Sequence, residues 1–95
     1  MSDTLLPDDF RALDAPLTLE VAGISPIELA VESVTALPGH RLRAAPFSLV
    51  LRGPSTPLLV QATYALRHPR RGMLEVFLVP IAQDAAGARY EATFN

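Results

Sequence analysis

From Val60 onward the chain alternates. In "VQATYALRH", Val60, Ala62, Tyr64 and Leu66 take one side of an extended chain, while Gln61, Thr63, Ala65 and Arg67 take the other. "HPRRG" interrupts the run, "MLEVFLVPI" resumes it from Met73 to Ile81, "DAAG" interrupts again, and "ARYEATFN" closes it. A period of two, punctuated by turn residues, predicts three antiparallel strands in a meander. Pro69 has the fixed φ that a type I turn uses, and Gly72 tolerates the positive φ that ends one.

The turns set an expected register. Pairing His68 with Met73 places Leu66 opposite Glu75, Tyr64 opposite Phe77, Ala62 opposite Val79 and Val60 opposite Ile81. Pairing Gln83 with Ala88 places Ile81 opposite Tyr90, Val79 opposite Ala92 and Phe77 opposite Phe94. Both hairpins then share one buried face. On this register Leu74, Val76 and Leu78 form an apolar row on the opposite face, covered by the N-terminal segment, by the curl of a small barrel, or by a partner. Glu75 falls on the core side near the turn, within reach of Arg70 or Arg71.

Upstream, "FSLVLRG" alternates Phe47, Leu49 and Leu51 with Ser48, Val50 and Arg52 and ends at the loop "GPSTP". "IELAVESVTAL" sets Ile27, Leu29 and Val31 on one face and then switches to Val34 and Ala36, as a β-bulge near Glu32 and Ser33 would make it do. A helix over Pro26 to Leu37 is the alternative, because Glu, Leu and Ala favour helices. "PDDFRAL" suits one helical turn opened by Pro7. "TLEVAG" suits another, capped by Thr18 and stopped at Gly23. The expected fold is all-β with a minor N-terminal helical turn. It is a small antiparallel barrel or sandwich of five to six strands, in a single domain whose residues 1–26 form an N-terminal segment and 27–95 the strands.

Ninety-five residues suffice for one domain with a modest core. Without cysteine there is neither a disulfide framework nor a thiolate metal site, so packing must supply the stability. The first residues lack the basic start and apolar run of a secretory signal, and no apolar stretch reaches the ~18 to 20 residues that span a bilayer. The expectation is a protein cytoplasmic at synthesis, with no membrane partner.

Charge is segregated along the chain. Asp3, Asp8, Asp9, Asp14, Glu20, Glu28 and Glu32 precede residue 33 with Arg11 as their one counterion. Arg41, Arg43, Arg52, Arg67, Arg70 and Arg71 follow with no acid among them. If the loops of 38–46 and 68–72 share one end of the barrel, these arginines make a basic patch. The aromatic residues that would stack single-stranded bases are all assigned to the core, so nucleic acid is not the expected partner. An acidic protein surface, such as the first 32 residues of a second copy, fits better. That every cation is Arg needs no more than G+C-rich codon usage.

Little in the sequence points to catalysis. His40 and His68 each lie in a turn beside arginines, far in sequence from any cluster of carboxylates, and neither has the partners of a metal site or a general base. Ser48, Ser55, Thr56 and Thr63 lack a nucleophile elbow, and no glycine-rich phosphate loop occurs. No cofactor is expected.

The second half of the chain, Pro46 to Asn95, carries "PFSL", "LRGP", "YALRHP", "FLVPI" and "YEATFN". In this it resembles a small bacterial family of unknown function made of stand-alone β-rich proteins. The resemblance implies a neighbourhood of phage-tail-collar or tail-fibre-like proteins, and it brings no catalytic residues. The expected function is a non-enzymatic protein-interaction or assembly module, with a protein partner that is a second copy or a tail-fibre-like protein. The candidate interaction residues are Arg41, Arg43, Arg67, Arg70, Arg71, Leu74, Val76 and Leu78. The alternatives are a small-ligand-binding barrel with Tyr64, Glu75 and Arg71 at an open end, and, last, an enzyme using His68 or His40.

Overall fold

A computed structural model describes residues 7–11, 13, 15–20, 23, 25–37 and 46–94. One helical turn, α1 (Asp8–Arg11), precedes six strands: β1 (Leu17–Leu19), β2 (Ile27–Ala36), β3 (Phe47–Gly53), β4 (Ala62–His68), β5 (Gly72–Asp84) and β6 (Gly87–Phe94). They close into a barrel in the order β1-β2-β3-β6-β5-β4, every neighbouring pair antiparallel. An all-antiparallel ring needs an even number of strands. Here three come from the meander β1-β2-β3 and three from β4-β5-β6, joined along β3–β6 and β1–β4.

The inward residues follow the pleat. Leu17 and Leu19, Ile27 and Leu29, Phe47, Leu49 and Leu51, Leu66, Val76 and Leu78, and Ala88, Tyr90 and Ala92 are all buried. A six-stranded ring leaves room for one such filling, and each large side chain buried in it contributes roughly 1.5 to 3 kcal/mol. β3 and β6 present the faces that their alternation predicts, and the helical turn forms where Pro7 opens it, the Pro7 carbonyl accepting from the amides of Phe10 and Arg11. β2 is a strand rather than the alternative helix, and its register shifts between Val31 and Ser33, where the change of apolar face calls for a bulge.

Several expectations fail. "TLEVAG" is not a helical turn: Leu17–Leu19 is a strand, because Leu17 and Leu19 fill the interior between β2 and β4. The register of the β4–β5 hairpin is also one residue off. His68 pairs with Gly72, Leu66 with Leu74, Tyr64 with Val76 and Ala62 with Leu78. The cause is Gly72, whose φ of 76° makes it the closing partner of His68 instead of a loop residue. A one-residue slip inverts every side chain on the strand. Leu74, Val76 and Leu78 therefore line the barrel, while Met73, Glu75 and Phe77 face outward. The curl of the barrel itself covers the row, and Leu74, Val76 and Leu78 are core residues, not an interaction surface.

The second hairpin begins as expected, with Gln83 opposite Ala88, and then shifts between Pro80 and Ala82. Ile81 is the extra residue and is half exposed, so Tyr90 lies opposite Pro80. This bulge lets β5 meet both neighbours with its even-numbered residues 74–80 inward, although the β6 turn alone calls for the opposite parity. Val60, expected in β4, lies in the preceding loop and is largely exposed.

Glycine matters most where β6 begins. A Cβ on Gly87 would lie 2.6 Å from the carbonyl oxygen of Gly53, a backbone atom that cannot swing away, whereas one on Gly72 would meet nothing within 4 Å. Gly72→Ala should therefore cost only the positive-φ penalty, about 1 to 2 kcal/mol. Gly87→Ala should cost more, because β3 and β6 must part to admit the methyl group. Urea unfolding of the two variants checks the ranking.

Candidate functional site

The two hairpins of the second meander are closed by the same device. In the exposed turn, Asp84 Oδ1 accepts from the amides of Ala86 (2.9 Å) and Gly87 (3.1 Å), two and three residues on. In the other, His68 Nδ1 accepts from the amides of Arg70 (3.0 Å) and Arg71 (3.1 Å), again two and three residues on. A side-chain acceptor ahead of a turn is ordinarily Asp or Asn. An imidazole stands in here where residue 68 falls on the inward face of β4 and is only 1% exposed, so that a carboxylate would have to give up its hydration.

The far side of the ring reaches another element. His68 Nε2 lies 2.7 Å from the carbonyl oxygen of Asp9 in α1. A carbonyl can only accept, so Nε2 carries the hydrogen, and Nδ1, which receives two amides, carries none. His68 is thus the neutral Nε2–H tautomer, joining the β4–β5 turn to α1. The aromatic ring of Phe10, also 1% exposed, meets the imidazole edge-on at 5.3 Å, with Phe94 at 5.6 Å and Phe47 at 5.8 Å from it. Phe47 and Phe94 stack at 4.8 Å. Three aromatic rings and one imidazole therefore plug this end of the barrel beneath a four-residue helix.

The opposite end is sealed by the 54–61 loop. Leu59 is buried there and its amide donates to the Tyr90 hydroxyl (2.9 Å), Gln83 Nε2 donates to the Ser55 carbonyl (2.7 Å), and the Tyr64 hydroxyl donates to the Val60 carbonyl (2.7 Å). Between the two plugs the interior is filled by side chains. The lining foreseen for a ligand barrel does not form, because Tyr64 turns inward and Glu75 outward on neighbouring strands, and Arg71 is on the exposed turn. Glu75, expected on the core side opposite Leu66, is exposed opposite Ala65.

On the outside, Arg67, Arg70 and Arg71 are exposed at and beside the β4–β5 turn, as expected. Arg41, Arg43 and His40 lie outside the described residues. The acidic N-terminal segment has destinations within its own chain: Glu20 approaches Arg67 at 3.8 Å, Asp8 pairs with Arg11 at 3.1 Å, and His68 holds α1 against the basic turn. Glu32, the bulge residue of β2, reaches across β3 to Arg89 of β6 at 2.7 Å. The hydrogen bond and charge of Glu32 raise the Arg89 pKa above its ordinary value.

The outward face of β5 is the one that sequence reasoning missed. Met73, Phe77 and Ile81 are each about half exposed, and with Leu58 and Val60 they are the exposed large hydrophobic residues among those described. "MLEVFLVPI" is apolar on both faces, so alternation did not distinguish the buried side from the exposed one. The signal available was the glycine: taken as the partner of His68, it selects the correct face.

The family described as "Domain of unknown function (DUF6916)" matches residues 5–94, nearly the whole chain. The chain belongs to the DUF6916 family. No curated protein and no solved structure matches it. For this DUF6916 protein the family match extends the resemblance read from residues 46–95 to the N-terminal segment that carries α1.

His68→Ala would leave the Asp9 carbonyl and two turn amides without their partner and open a hole beside Phe10. The expected loss is about 2 to 4 kcal/mol in chemical denaturation. His68→Asn should lose less, because the Asn side-chain oxygen can still accept from the turn.

Proposed function

We propose that this DUF6916 protein is a non-enzymatic assembly module whose copies associate through the outer face of β4 and β5, as a component of a tail-like or fibrous structure. The observation that carries the reading is the line of Met73, Phe77 and Ile81 on one strand, exposed where a barrel of this size would ordinarily show polar residues. The tail-like setting rests on the resemblance of residues 46–95 alone.

A second copy suits this face because it carries both signs of charge. Arg67 and Arg70 lie at its turn end beside Met73, Glu75 lies between Met73 and Phe77, and Glu91 lies at the other end, paired with Val79. Two such faces related by a two-fold axis, with their β5 strands antiparallel, bring each copy's arginine end over the other's Glu91 and the Phe77 side chains toward the centre. Apolar contact supplies the affinity and the charged ends set the orientation.

Light scattering across a concentration series tests this on wild type and on Phe77→Asp, an outward substitution that leaves the core intact. The expected result is a wild-type mass above that of the monomer and a monomeric variant. Arg70→Glu and Glu91→Arg should each weaken association and together restore it. A wild type that stays monomeric at every concentration and salt would overturn self-assembly through this face.

A further inference from the structure

The imidazole at the plugged end does more than close a turn, because its acceptor is a ring nitrogen, and a proton added there removes the lone pair that the turn amides use. We infer that His68 is an acid-sensitive latch: a proton on Nδ1 releases α1 from the barrel and bares the Phe10, Phe47 and Phe94 end. It does not rest on the assembly reading, although the turn it loosens carries Arg70.

The geometry allows the second proton one place. Nε2 already holds a hydrogen toward the Asp9 carbonyl at 2.7 Å. Nδ1 faces the amide hydrogens of Arg70 and Arg71 at 3.0 and 3.1 Å. Protonation there turns two hydrogen bonds into two donor–donor contacts, and an imidazolium has no acceptor left to offer. The ring must leave the position that closes the turn. Its departure also breaks the bond to Asp9 and the edge contact with Phe10.

What holds α1 makes this consequential. A four-residue helix is far too short to be stable alone, so its place depends on its contacts with the barrel, among them Phe10 in the plug, the approach to β2 and the Asp9–His68 bond. The ionisable groups on the two elements that His68 bonds are Asp8, Asp9 and Arg11 of α1 and Arg70 and Arg71 of the turn. Phe10, Phe47 and Phe94, which complete the plug, do not titrate, and neither do Leu17–Leu19 of β1 and Gly72 of β5 alongside. The closed latch binds the neutral ring, so opening takes up one proton. Closure is therefore favoured at higher pH and lost as pH falls.

Amide hydrogen exchange, corrected for intrinsic rates, tests the latch between about pH 7.5 and about pH 5, a window in which imidazole is the ordinary side chain that changes charge. Toward the acid end of that window, protection at Phe10, Arg70 and Arg71 should fall by up to about tenfold per pH unit, the slope of one-proton linkage. Amides of β3 and β6 should keep theirs. In His68→Asn, which keeps an acceptor for the turn and cannot titrate, the pH dependence should vanish. If protection in the wild type does not change with pH, or if His68→Asn loses it as the wild type does, the latch is wrong and in the second case the carboxylates of α1 are responsible. Should the variant not fold, nitrogen chemical shifts of the wild-type ring decide: an Nδ1 still bare at about pH 5, with the fold intact, overturns the proposal, and protonation concurrent with loss of the Arg70 and Arg71 bonds supports it.

Discussion

Everything in this barrel depends on which side of each strand turns inward. Six strands enclose space for a single filling of side chains, and a strand set one residue out of step would turn its inward face into water. The decision is made outside the strands, by the residues that close the turns and by the two that bulge. Gly72 assigns β5 its inward face, and Ile81 keeps that face inward as the strand passes from β4 to β6.

Much of the fold was legible for this reason, and the illegible part has the same cause. β3 and β6 alternate clearly, with Phe47, Leu49 and Leu51 against Ser48, Val50 and Arg52, and Ala88, Tyr90 and Ala92 against Arg89, Glu91 and Thr93, so one face was the evident choice for burial. β2 announced its bulge by changing apolar face at Glu32. β5 has apolar residues on both faces, and its orientation hung on whether Gly72 belonged to the loop or to the strand. β1 was hidden because three residues are too few to show a period, and the ring in which Leu17 and Leu19 complete the filling exists only in three dimensions.

The candidate site was legible in part. The exposed arginines of the hairpin were visible as a charge run, but the row chosen beside them was the wrong side of β5, and Met73 and Phe77 take its place. His68 looked like a turn residue, but it is the buried last residue of β4, and only its ring serves the turn. What could not be read was that its second nitrogen reaches residue 9, since nothing in the local sequence relates the helical turn to a hairpin 59 positions away. That contact arises because β4 ends at the same mouth of the barrel at which β3 begins and β6 ends, where Phe10 packs against Phe47 and Phe94.

The two meanders follow one plan, each with a long middle strand that pairs first with one neighbour and then with the other and bulges soon after the change. They are not stitched together equally. The β3–β6 seam runs from Phe47 against Phe94 to Gly53 against Ala88, whereas the β1–β4 seam consists of Thr18 against Arg67 and Leu19 against Leu66. If the cylinder ever breathes, it will unzip along that short seam, turning a closed surface into a curled ribbon with the edges of β1 and β4 bare. An open edge is a template for another strand. The brevity of β1 thus marks the line along which this fold is most exposed to joining itself to a neighbour in an unintended way.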